Sequence, residues 1–355
     1  MIPDKEVQQK IQQNAVEQSR FYKPVKQKQR KRKRRNYFYI IMVTIFILIA
    51  SGFIYEWVAA KNARSSYPVP GKLVDVGGFA LHINKIGQGS PTIIFESGSG
   101  ETSLEWDDIP RKLSQYATVV TYDRAGYGWS EKANQERSGK NIVKELHTAL
   151  QKEGLHGPYI LVGHSLGGMY ARLFTQEYRE QVVGLVLVDA RSENDERQTA
   201  SIYKQENVKG QPSSGLIMLL KHSGVLRLFK NVILEGIIEP DKRDEFINVT
   251  AKASFFKAKE EEGALAYLTE NLITGQNLGD LPVKIIARGI APDYAGFGIS
   301  EEAGKQLEQI WMEGQQGMLA ISSNSEMRIA SSSGHYIMRD QPELVIDAIL
   351  SLLAP

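Results

Sequence analysis

Tyr159-Ile160-Leu161-Val162-Gly163-His164-Ser165-Leu166-Gly167-Gly168 decides the fold. Four apolar residues lead into a G-x-S-x-G turn. Behind the turn, Leu166, Met169, Tyr170, Leu173 and Phe174 recur at helical spacing. An apolar run bounded by glycine and followed by a 3.6-residue period predicts a buried strand, a sharp turn and an amphipathic helix. A serine at such a turn stands above the end of a sheet with its Oγ open to substrate. The glycines permit close approach of strand and helix and a left-handed backbone at the turn.

The surrounding chain repeats the pattern. Short apolar runs at 72–76, 79–86, 92–95, 118–122, 159–162, 182–188, 283–287 and 327–330 predict eight strands. The first two flank Gly77-Gly78 and read as a hairpin. The later ones alternate with helical stretches, which indicates a mostly parallel sheet covered by helices on both faces. Residues 190–280 break the rhythm, with helical signals at 215–229 and 243–272. This segment follows the sixth strand, beside the carboxyl ends where such sheets bind ligands. It is expected to form a helical cap over the serine.

Composition narrows the chemistry. The 355-residue chain has no cysteine. Disulfides, thiolate metal sites, a cysteine nucleophile and a lipidated cysteine are therefore excluded. There is no glycine-rich phosphate loop and no H-x-x-H metal spacing. No cofactor and no metal are implied.

The net charge of +2 conceals an asymmetry. Residues 1–36 carry twelve Lys/Arg against three Asp/Glu, and the remainder is acidic. Directly after the basic run Arg30–Arg35 come nineteen uncharged residues, YFYIIMVTIFILIASGFIY, at 37–55. At about 1.5 Å per residue they span about 28 Å, close to the bilayer hydrocarbon thickness. Tyr37, Tyr39, Tyr55 and Trp57 stand at its two ends, as interfacial aromatics do. The expectation is a basic cytosolic tail (1–36), disordered or loosely helical, a transmembrane helix (37–58), a linker (59–71) and a globular domain (72–355). The positive-inside rule then sets the domain on the extracytoplasmic side of the cell membrane, with the bilayer as partner through 37–58. A nucleic-acid role for the basic run is not expected. Secretion after cleavage near Val58-Ala59-Ala60 is the alternative. Oligomeric state is not legible.

A hydroxyl near neutral pH needs a base, and the base needs an orienting acid. Of six histidines, His82, His147, His156 and His222 read as packing or surface residues. His164 adjoins the serine and should point elsewhere. His335 lies in Ser332-Ser333-Gly334-His335-Tyr336, between the last strand and the last helix, where it can swing over Ser165.

With these pieces in order, residues 72–353 resemble the α/β-hydrolase superfamily in its lipase- and esterase-like branch. The matching stretches are FESGSGE (95–101), YDRAGYGWS (122–130), GPYILVGHSLGG (157–168), VVGLVLVDA (182–190) and SGHYIMRDQPELVIDAI (333–349). The resemblance implies an α/β-hydrolase fold with Ser165 as nucleophile and His335 as general base. It also implies an oxyanion hole from the backbone N–H groups of Leu166 and Ser99. The acid departs from the common pattern. Asp293, after the seventh strand, lies a residue beyond the usual spacing. Asp189, ending the sixth, holds the place used by other branches. Asp189 is preferred and Asp293 is the alternative, while Asp123 reads as structural. The implied function is a serine hydrolase acting on a carboxylic ester, with a lipophilic substrate favoured. An acyltransferase, an amidase or peptidase, and a non-catalytic membrane-tethered binding protein are the alternatives.

Overall fold

The computed structural model describes residues 5–353 except 207, 209–212, 236, 237 and 239. Residues 1–4 of the basic tail and those eight positions of the cap lie outside the described residues.

Eight strands form one sheet: β1 (Lys72–Asp75), β2 (Ala80–Ile86), β3 (Thr92–Glu96), β4 (Thr118–Tyr122), β5 (Tyr159–His164), β6 (Val182–Val188), β7 (Val283–Arg288) and β8 (Ser325–Ala330). Their order is β1-β2-β4-β3-β5-β6-β7-β8. β1 and β2 pair antiparallel, as do β2 and β4, and the remaining pairs are parallel. The uniformly apolar central strands have a simple cause: both of their faces are covered. Leu161, Ile94 and Leu187 pack toward the helices Gly139–Lys152 and Leu166–Glu177. Their neighbours Ile160, Phe95 and Val186 pack on the opposite face against Trp106, Ile109 and the C-terminal helix Pro342–Ser351. Each such side chain, taken out of water, contributes about 1.5–3 kcal/mol to folding. At the edge, β8 alternates instead, with Glu326 and Arg328 turned outward.

The segment after β6 is helical but broken. Where the sequence predicts one helix over 215–229, the chain forms Ser214–His222, Val225–Leu228 and Lys230–Ile233. The break falls at Gly224, whose φ of 74° ends a right-handed helix. Farther on, a π-helical turn (Phe246–Thr250) precedes the helix Ala253–Ile273. Ala266 and Ile273 of that helix belong to the main core, so the last part of the expected cap joins the helical layer on the sheet.

The N-terminal helix reaches beyond the expected span at both ends. One helix runs from Lys5 to Ser66. It takes in the described part of the basic tail and the first part of the 59–71 linker. The apolar run provides the nucleus, and the flanking Gln, Lys, Arg and Ala residues are good helix formers that extend it at little cost. Within it, Arg30–Ala63 is long and apolar enough to cross a membrane.

The elbow glycines are required by space as well as by backbone angle. A Cβ on Gly167 would stand 2.4 Å from the carbonyl oxygens of Glu96 and Ser97, and one on Gly163 would stand 2.7 Å from the Gly167 carbonyl. Backbone cannot yield as a flexible side chain does. Gly167→Ala is therefore expected to lower the unfolding free energy by about 1–3 kcal/mol, measured by chemical denaturation against the parent chain.

Candidate active site

Ser165 caps the helix Leu166–Glu177 at φ 52° and ψ −123°, a left-handed backbone rare for a side-chain-bearing residue. Its N–H donates to the Val188 carbonyl, and its own carbonyl accepts from Gly168 and Arg191. The strained turn is thus tied to the end of β6. Every residue from Tyr159 to Thr175 is buried except Ser165, which is half-buried. The fold uncovers the serine alone.

Asp189 follows Val188 directly, at φ 39°. It is wholly buried, and both carboxylate oxygens are fully used. Oδ2 accepts from His335 Nδ1 at 2.6 Å and from Arg288 Nη1 at 3.1 Å. Oδ1 accepts from the Arg288 N–H at 3.1 Å and from the Trp311 indole N–H at 2.9 Å. Burial pushes this carboxyl upward, yet the His335 hydrogen bond and the nearby His335 and Arg288 charges hold it below the usual aspartate value. Asp293 stands apart. It is exposed and accepts from the Gly296 N–H at 3.1 Å, as a turn-capping residue does. Of the two candidate acids, the structure brings only Asp189 to His335.

The other histidines divide by environment. His82 forms a buried pair with Asp123 at 2.8 Å, and Asp123 also accepts from the Ser103 and Trp129 N–H groups. That pair pins the loops after β3 and β4, which is the structural role read for Asp123. His164 holds more than the sequence suggested. Its Nδ1 meets Glu105 Oε2 at 3.0 Å, and its Nε2 meets the His335 carbonyl at 3.0 Å. With the Glu105 carboxyl ionised both partners accept, an arrangement that suits the imidazolium form of His164. Burial pulls its pKa down, but the Glu105 charge and hydrogen bond lift it above the ordinary histidine value. His335 moves the other way. Burial and the His164 cation, 4.6 Å away between ring centroids, lower its pKa against the opposing pull of Asp189.

The oxyanion candidates are aimed by neighbouring charges. Arg124 is buried between Glu96 and Glu262, and its guanidinium donates to the Ser97 and Gly98 carbonyls. A trans peptide plane sets C=O and N–H in opposite directions. Holding the Gly98 carbonyl therefore turns the Ser99 N–H away from Arg124. The Gly98 N–H is taken by Glu105 at 2.9 Å, whereas the Ser99 N–H has no protein acceptor among the described residues. Leu166, at the first helical position, has a free N–H by helix geometry.

Beside this group lies a cavity of about 280 Å³. It is bounded by Glu101, Glu105 and Tyr336 on one side and by Ile238 and Phe246 of the cap on the other. Tyr336 donates to Glu101 at 3.1 Å, and burial with the Glu105 charge pushes Glu101 up to about 7.

A family model described as alpha/beta hydrolase fold matches residues 91–213, the segment that carries β3 to β6 and the elbow. The chain has the α/β-hydrolase fold. Over 147 residues it is 30% identical to the uncharacterized protein YbdG of Bacillus subtilis (strain 168), a match covering 41% of this chain and 45% of that relative. The chain thus spans under half the length of that relative. Among solved structures, the chain resembles the epoxide hydrolase CorEH at a TM-score of 0.55 and 18% identity, over 80% and 98% of the two chains. It resembles a thermophilic esterase from Thermogutta terrifontis at a TM-score of 0.53 and 18% identity, over 79% and 98%. At such identities the likeness speaks to fold.

Sequence reading had no signal for Glu105, Trp311 or Arg288, which meet the site only through folding. Arg124 was visible inside the YDRAGYGWS stretch, but its partners were not.

The two neighbouring imidazoles should differ in charge. At pH 6.5, where an unshifted histidine is about half protonated, ¹⁵N NMR is expected to find His164 mainly as imidazolium and His335 mainly neutral.

Proposed function

We propose that this α/β-hydrolase is a serine hydrolase that cleaves a carboxylic ester through an acyl-enzyme. The observation that carries the reading is the His335–Asp189 contact at 2.6 Å, next to the elbow that exposes Ser165.

The chemistry follows from the groups present. Asp189, buried and ionised, fixes the tautomer of His335: Nδ1 donates to the carboxylate, so Nε2 is left with its lone pair. Ser165 Oγ gives its proton to that lone pair as it bonds to the ester carbonyl carbon. The carbonyl π electrons move to oxygen, and the Ser99 and Leu166 N–H groups stabilise the resulting oxyanion. As the C–O bond breaks, His335 returns the proton to the leaving alkoxide, which departs as an alcohol. Water then repeats the sequence on the acyl-enzyme, releasing a carboxylic acid and free Ser165. A depressed His335 pKa suits a base that must be neutral before attack. Epoxide hydrolysis is disfavoured, since this elbow bears serine where such chemistry uses aspartate.

The N-terminal helix supports the second half of the reading. With the basic run on the cytosolic side, residues 37–58 anchor the enzyme and the catalytic domain faces the extracytoplasmic side. An anchored enzyme favours a lipophilic ester.

A fluorophosphonate probe tests the nucleophile. It should label Ser165 in the native chain and leave Ser165→Ala unlabelled; no labelling of the native chain overturns the reading. The acid is tested by paired variants on a panel of acyl esters of graded length. Asp189→Asn should lower kcat by about 10⁴, while Asp293→Asn should stay within about threefold of the parent, as surface changes do. For the parent enzyme, kcat/KM should rise with pH through a midpoint below 6.5, because the lowered His335 pKa moves the acid limb downward.

A further inference from the structure

The membrane-spanning helix does not end free of the domain. Glu56, only 4% exposed, accepts two hydrogen bonds from the Arg227 guanidinium, from Nε at 2.7 Å and from Nη2 at 2.9 Å. One turn earlier, Gly52 packs directly on the cap. A Cβ at Gly52 would stand 2.2 Å from the Ser223 carbonyl oxygen, and one at Gly224 would stand 2.9 Å from the Gly52 carbonyl. Two glycines allow the backbones to touch, and one buried ion pair sets the register.

The height of this contact is informative. From Tyr37 to Gly52 the helix rises about 22 Å at about 1.5 Å per residue, against a hydrocarbon thickness of about 30 Å. The cap therefore meets the helix short of the outer boundary of the span. Glu56, one turn farther along at about 28 Å, lies close to that boundary, and Arg227 pairs it from the cap.

The same cap segment is apolar on its open side. Leu216, Leu219, Leu228, Phe229 and Val232 are 47%, 58%, 60%, 56% and 72% exposed. They belong to the helical pieces that flank the Gly52 contact. Leu226, Leu234 and Ile247 form a small core within the cap, and Ile238 and Phe246 pack against that core while lining the cavity next to Glu101. One thin layer thus separates the cavity from the exposed apolar edge.

We propose that this edge of the cap is seated in the outer leaflet of the bilayer that residues 37–58 cross, and that substrate reaches the cavity from lipid. The occupant of the exposed face is lipid, because the cap segment that carries it packs on the span at Gly52 and Glu56. The inference rests on reading 37–58 as a membrane span.

The absence of cysteine makes the test direct, since single cysteines can be introduced without background. Nitroxide labels at Ile45→Cys, Val232→Cys and Lys305→Cys would be read in the full chain in phosphatidylcholine nanodiscs, by relaxation with oxygen against a water-soluble nickel chelate. The expected result is that Ile45 and Val232 respond to oxygen and Lys305 to nickel. Nickel access at Val232 with oxygen access at Ile45 overturns the cap inference and leaves the anchor standing. Nickel access at Ile45 overturns the anchor reading, and the cap inference with it. A second measurement uses the double variant Leu228→Gln/Val232→Gln. It should hydrolyse a short soluble ester within twofold of the parent, yet lose about tenfold on a long-chain ester presented in phosphatidylcholine vesicles. Equal rates on the vesicle ester would overturn the proposal.

Discussion

A buried histidine bonded at both ring nitrogens holds the candidate site together. His164 meets the Glu105 carboxyl through Nδ1 and the His335 carbonyl through Nε2. Glu105 in turn takes the Gly98 N–H. Three loops, after β3, β5 and β8, are thereby joined through one buried ion pair. A buried charge without partners costs several kcal/mol, so these contacts persist together or fail together. The consequence reaches the chemistry, because burial and the neighbouring His164 both lower the His335 pKa.

Arg288 plays the corresponding part for the acid. It ends β7, where this superfamily usually keeps its carboxylate nearby, and it holds Asp189 by backbone and side chain. Glu308 and the Trp311 face occupy the rest of its guanidinium. These partners hold the Asp189 pKa below the usual aspartate value, and they fix its geometry from four directions. Fixing Asp189 fixes the His335 imidazole that bonds to it.

The parts legible in the sequence were those with a local physical signature. Apolar runs marked buried strands, and glycines around Ser165 marked a turn that admits no Cβ. A loop histidine before the last helix marked the base. The helix breaks were less legible: Gly224 interrupts an otherwise continuous apolar period at 215–229 because backbone contact with Gly52 demands a glycine there. The basic tail was legible only as disordered or loosely helical, because its charges suggest a solvated coil, while the neighbouring apolar run supplies the nucleus of a helix that extends through it.

The choice between Asp189 and Asp293 shows where sequence stops. Both were aspartates near strand ends, and spacing favoured neither decisively. Only the parallel pairing of β5 with β6, which sets His164 beside Val188, brings the residue after Val188 within reach of the loop after β8. Likewise, Glu56 and Arg227 stand far apart in the chain and meet because the cap packs on the N-terminal helix. The sequence alone determined the strand pattern, the elbow serine, the loop histidine and the apolar N-terminal run, because each depends on neighbours in the chain. Tertiary structure decided which aspartate meets His335, the partners of His164 and the packing of the cap on the N-terminal helix, because each depends on groups that only folding brings within hydrogen-bond distance.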